Sequence, residues 1–101
     1  MRLWVFLLVL GAASAIAGPE LGQAQMDKYH KSCSVCHDSG AAGAAKTGDA
    51  AAWKPLLDKG MSTLVESVNK GLNAMPPRGM CFDCSDADYR ALIEYMASPA
   101  G

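Results

Sequence analysis

The chain has 101 residues, room for one small domain. Nine basic against ten acidic side chains leave a net charge of −1, which excludes the strongly basic face that nucleic acid would require. Four cysteines in so short a chain make its compartment the next thing to establish.

The opening stretch, MRLWVFLLVLGAASAIAG, joins basic Arg2 to an apolar run from Leu3 to Leu10 and then to small residues. That run falls short of the roughly 20 apolar residues a membrane span needs. It reads as a secretory signal, with Ala13-Ser14-Ala15 and Ala15-Ile16-Ala17 as small-x-small cleavage patterns. The expected organisation is a cleaved signal over 1–17 and one domain over 18–101, with no permanent membrane anchor. Export puts all four cysteines in an oxidising compartment, where thiols pair or are otherwise consumed. Residues 18–101 hold twenty large apolar side chains beside thirteen alanines, which is little core for a domain. A disulfide, a metal or a flat apolar cofactor would make good the shortfall.

Residues 21–31 allow a helix that leads into Cys33, through Leu21, Met26 and Tyr29. The stretch 38–48, DSGAAGAAKTG, has three glycines and no periodicity and reads as a loop. Asp49 can cap a short helix through AAAWK, after which Pro55 either starts a new turn or breaks this one. Beyond Gly60, Leu64, Val65, Val68 and Leu72 share a helical face, with Thr63 and Glu66 as a capping box and Gly71 as the end. The prolines of NAMPPRGMCFDC exclude a helix there. Ser85 with Asp88 forms a second capping box, opening a helix whose buried stripe is Tyr89, Leu92, Ile93 and Met96. No strand is evident. The expected fold class is all-α, about four short helices with long structured loops.

Cys33-Ser34-Val35-Cys36-His37 carries the chemistry. C-x-x-C-H is the pattern of covalent c-type haem attachment. Two thiols one turn apart can reach the vinyl groups along one side of a porphyrin, and the adjacent histidine then stands over the iron. A zinc site would need Cys33, Cys36, Cys81 and Cys84, but 44 residues separate the two pairs, against the roughly 15–20 of the usual zinc pattern. It would also leave His37 without a role. A thiol redox motif normally follows a strand, and none is evident. Haem accounts for all three residues.

Haem iron in electron-carrying cytochromes c takes a methionine as its second axial ligand. Met26 and Met61 read as core and Met96 lies on the last helix's stripe. Met75 sits in an extended loop before Pro76 and Pro77, which hold its backbone out of a helix; Met80 is the competitor. His30 reads as a solvated helix residue. Cys81-Phe82-Asp83-Cys84 is followed by serine, so a second haem is not indicated, and the pair reads as a disulfide clip or, alternatively, a redox-active pair. Trp53, Lys46 and Arg78 are candidate donors for buried haem propionates, with packing or a solvated charge as the competing role for each. Phe82 reads as core packing, with cover for apolar surface near the haem or a partner contact as the alternatives. Lys54, Lys59 and Lys70 read as a solvated face, too few for a basic docking ring.

CSVCH, KTGDAAAWKP, GLNAMPPRG, CFDC and SDADYRALIEYM together resemble the cytochrome c5 family of bacterial monohaem class I cytochromes c, from about Met26 to Met96. The resemblance implies a class I cytochrome c fold, with first and last helices crossing and one haem edge exposed. By motif position it implies one haem c on Cys33 and Cys36, His37 and Met75 as axial ligands, and a Cys81–Cys84 disulfide. It further implies periplasmic electron transfer to or from a respiratory partner. With His30, the only spare histidine, on the proximal side in sequence, the chain reads as a carrier rather than an enzyme, meeting redox partner proteins by transient contact at an exposed haem edge, as a monomer or weak dimer. A haem subunit of a larger oxidoreductase, or an open-site haem enzyme or sensor, is the alternative. The family often has proline where this chain has Ala45; the backbone carbonyl expected to hold the His37 ring is unaffected.

Overall fold

The computed structural model describes residues 20–99 and is helical, with no strand among them and a single antiparallel bridge, Leu72 to Met75. The proposed signal, 1–17, lies outside the described residues. Five α-helices follow in order among these residues: α1 (Gln23–Lys31), α2 (Ser34–His37), α3 (Ala50–Leu57), α4 (Met61–Lys70) and α5 (Asp86–Ala97), with short 3-10 turns at Ala41–Gly43 and Pro77–Met80. Helix α5 is the hub, packing against α1, α3 and α4.

The stripe on α5 explains this. Tyr89, Leu92, Ile93 and Met96 recur at helical spacing and all four are buried, with Tyr29 of α1, Trp53 of α3 and Val65 of α4 against them. At the N-terminus of α5 the Ser85 hydroxyl accepts from the Asp88 N–H, and the Asp88 carboxylate accepts from the Ser85 N–H at 3.0 Å. The same carboxylate reaches α1, accepting from Lys28 Nζ at 3.1 Å and Gln25 Nε2 at 3.3 Å. Its pKa is pulled down to about 2, first by the Ser85 backbone N–H and then by Lys28 and Gln25. Farther along, Tyr29 and Tyr95 meet edge to face, ring centroids 5.1 Å apart.

Four expectations change. Helix α3 runs through Pro55: the carbonyl it leaves unpaired belongs to Ala51 and, like the proline, lies on the exposed side, where water can serve it. Helix α4 begins at Met61 on Gly60, so Thr63 and Glu66 lie inside its first two turns and form no capping box. It ends at Lys70, which leaves Leu72 past the helix and exposed. Phe82 is exposed too, because it tips the turn between two cysteines that are themselves buried.

Candidate functional site

One apolar cavity of about 290 Å³ lies between these helices. Cys33, Cys36 and His37 line it from the α2 region, Trp53 and Leu56 from α3, Leu64 and Val68 from α4, and Ile93 and Met96 from α5. Met75 and Met80, in the segment between α4 and α5, line it as well.

The three attachment-motif residues come together for a local reason. Helix α2 is one turn long, so Cys33 at its cap, Cys36 and His37 are placed by a single set of backbone bonds, including His37 N–H to Cys33 carbonyl at 2.9 Å. Both thiols are free, and burial pushes the Cys33 thiol pKa up. His37 Nδ1 donates to the Ala45 carbonyl at 2.7 Å. A carbonyl only accepts, so the proton is on Nδ1 and Nε2 keeps its lone pair for a metal.

The glycine-rich loop is organised around that imidazole. Thr47 N–H donates to the His37 carbonyl at 2.8 Å, and Gly48 N–H to the Met96 carbonyl at 2.8 Å. Trp53 Nε1 donates to the Lys46 carbonyl at 2.9 Å, and the indole lies 5.5 Å from the imidazole, centroid to centroid. The indole donor is thus engaged with the backbone beside Ala45; Trp53 lines the cavity and braces His37's partner. Beneath the loop the buried Tyr29 hydroxyl donates to the Asp38 carboxylate and shares a hydrogen bond with Thr47 Oγ1 at 2.7 Å. Burial first, and then the Asp38 bond, push the phenol pKa well up. Sequence reading missed Tyr29, Asp38 and Thr47 as a unit, because they are scattered over loops that carry no pattern.

Lys46 and Arg78 are not in the cavity lining. The Lys46 side chain lies over Gly40, and Arg78 Nη2 donates to the Cys84 carbonyl at 3.1 Å. Cys81 and Cys84 are joined as a disulfide, Cα to Cα 5.5 Å. Its turn is tied down by Tyr89 OH to the Cys81 carbonyl, 2.8 Å, and Lys28 Nζ to the Asp83 carbonyl, 2.9 Å. His30 is exposed on α1 and is not in the lining either.

Met75 is held by its backbone. Its N–H donates to the Leu72 carbonyl at 2.9 Å and its carbonyl accepts from the Leu72 N–H at 3.0 Å. Pro76 and Pro77 follow, and then Arg78, Gly79 and Met80 all take left-handed angles, which returns the chain sharply toward Cys81. Met75 is half-buried, whereas Met80 is more than half exposed.

The donor set fits haem c: two free thiols, an imidazole with its outer nitrogen anchored and its inner one available, and two thioethers, on one apolar cavity among short helices. This combination defines a monohaem c-type cytochrome of class I.

The relatives agree. Residues 20–96 match the family described as cytochrome C oxidase, cbb3-type, subunit III. Cytochrome c5 of Ectopseudomonas mendocina is 42% identical, over 85% of this chain and 98% of its own length. That of Azotobacter vinelandii is 45% identical, over 70% and 88%. A mono-haem ferrocytochrome c from Shewanella putrefaciens shares 51% identity and a TM-score of 0.67, over 80% of this chain and 99% of that one. A chain from the crystal structure of an electron transfer complex of nitrite reductase with cytochrome c gives 44% and 0.67, over 77% and 95%. The chain belongs to the cytochrome c5 family, whose members bind one covalent haem c, and it is a monohaem electron carrier.

Proposed function

We propose that this chain is a periplasmic one-electron carrier of a respiratory chain, and not an enzyme, with its haem iron held between His37 and Met75. Haem c supplies a ferric/ferrous couple when bound. Everything else falls to the chain's own residues. The Cys33 and Cys36 thiols hold the group covalently, at the spacing one helical turn allows. His37 presents Nε2 because Ala45 holds Nδ1, and Trp53 and Thr47 hold the loop that carries Ala45. Met75 offers its thioether from a backbone clamped by Leu72 and stiffened by two prolines. The apolar lining from Leu64, Val68, Ile93 and Met96 excludes water.

The observation that carries this reading is that His37 and Met75 line the same cavity as two free thiols. Two protein ligands leave no open position for a substrate. The mature protein is 18–101, exported by the 1–17 signal, and meets redox partner proteins transiently as a monomer or weak dimer. In a solved electron transfer complex a similar cytochrome c is paired with nitrite reductase, which supports a protein partner of that class. Carbon monoxide added to the ferrous protein tests the closed site. An unchanged visible spectrum is expected; a shifted Soret band would mean an open position and favour a haem enzyme or sensor.

A further inference from the structure

We infer that Gly71 is a positioning residue for Met75, fixing the height of its thioether through the backbone. The inference rests on Met75 as the axial ligand, as proposed above. Gly71 closes helix α4 with φ 84 and ψ 154, a region that essentially only glycine occupies. A Cβ built there would come within 2.9 Å of the Met75 carbonyl oxygen, 2.9 Å of Pro77 N and 3.2 Å of the Pro76 carbonyl carbon. All three are backbone atoms, so no side chain can swing aside to relieve the contact. The missing Cβ is the seat on which Met75-Pro76-Pro77 lies. Through Leu72, the next residue, the same segment makes both hydrogen bonds that clamp Met75. Adding a methyl group must lift the ligand strand or twist the clamp, and in either case the sulfur moves.

The other end of the same helix provides a matched control. Gly60 has nearly the same backbone angles, φ 95 and ψ 142, and a Cβ built there meets nothing within 4 Å. Gly60→Ala therefore carries the same dihedral penalty without touching the ligand strand. Gly79 provides a milder probe: its Cβ would come 3.1 Å from Met75 Cε, a flexible side-chain end.

The experiment compares haem-loaded wild type, Gly60→Ala, Gly71→Ala and Gly79→Ala by thermal melting, midpoint potential and the ferric far-red band of sulfur–iron ligation, followed as pH is raised. Both alanine variants of the α4 ends should melt lower. Only Gly71→Ala should also lose ligand strength, about tenfold, read as a fall of about one unit in the pH at which the band disappears. Its potential should fall with it, since thioether ligation favours the ferrous state. Gly79→Ala should show a smaller shift of the same sign, and it carries the test alone if Gly71→Ala does not fold. A band that fades at the same pH in Gly71→Ala and Gly60→Ala overturns the inference, as does an unshifted band in Gly79→Ala when Gly71→Ala is not recovered. A wild type with no far-red band removes the ligand reading and this inference with it.

Discussion

His37 is where most of the local chemistry converges, and its supports differ in how visible they are. The Cys33, Cys36 and His37 spacing can be read directly, because one helical turn fixes all three. The Ala45 carbonyl was legible only through family likeness. Trp53 was legible as important but not in its role, since a sequence cannot say which acceptor an indole N–H will find. Tyr29 gave no signal at all: it looks like any aromatic on an amphipathic helix. Yet its hydroxyl joins α1 to Asp38 and Thr47, on both sides of the loop that holds the imidazole. Tyr29→Phe removes the hydroxyl's bonds to the exposed Asp38 carboxylate and to Thr47, and should destabilise the protein by about 1 kcal/mol in chemical denaturation. The ring's packing on Tyr95 is kept, so the haem spectrum should survive at neutral pH.

At the scale of elements, α5 is legible in cap and stripe, because capping box and apolar spacing agree there. Helix α4 was read with the wrong start. Thr63-x-x-Glu66 matches a capping box in letters, but such a pattern also occurs inside any helix, and glycine at position 60 gave no capping oxygen to recognise. The Asp88 carboxylate links α5 to α1 and gives a pH prediction. Its folded pKa of about 2 lies below the ordinary aspartate value of about 3.9. The stabilisation is therefore complete above about pH 4 and is lost as pH falls through about 2. Asp88→Asn should lower stability by about 1 kcal/mol at pH 7, with the gap to wild type closing as both are titrated toward pH 2. The disulfide turn joins the Met75 segment to α5. Replacing Cys81 and Cys84 by serine together should cost about 2 kcal/mol, small because the closed loop is short. Comparing the denaturation midpoints of the pair variant and wild type measures it.

At the scale of the molecule, charge among the described residues is placed mostly away from the cavity. The described ion pairs, Lys28–Asp88, Lys54–Asp58 and Lys70–Glu66, lie on the helices or at a helix end. The two loop stretches that help line the site, 39–45 and 71–77, contain no charged residue, and among the described residues the lining includes one, Lys59. Val35, Leu72 and Met80 line the cavity while remaining 60%, 51% and 54% exposed. Too few lysines for a docking ring was evident from counting; that the charge-free loops would meet at one cavity was not, because 31 residues of helix and turn separate Ala42 from Ala74 in the chain. Contacts at such a face owe little to long-range electrostatics. Electron self-exchange between ferrous and ferric copies, followed by NMR line broadening, should change by less than about threefold between 10 mM and 150 mM salt.

The central claim is that this iron is closed by Met75, and the ferric far-red absorption band tests it most directly. Wild type and Met80→Ala should both show the band, and Met75→Ala should lack it while keeping covalently attached haem on Cys33 and Cys36. A band that persists in Met75→Ala, or one that vanishes in Met80→Ala, would contradict the account and hand the sixth position to another ligand.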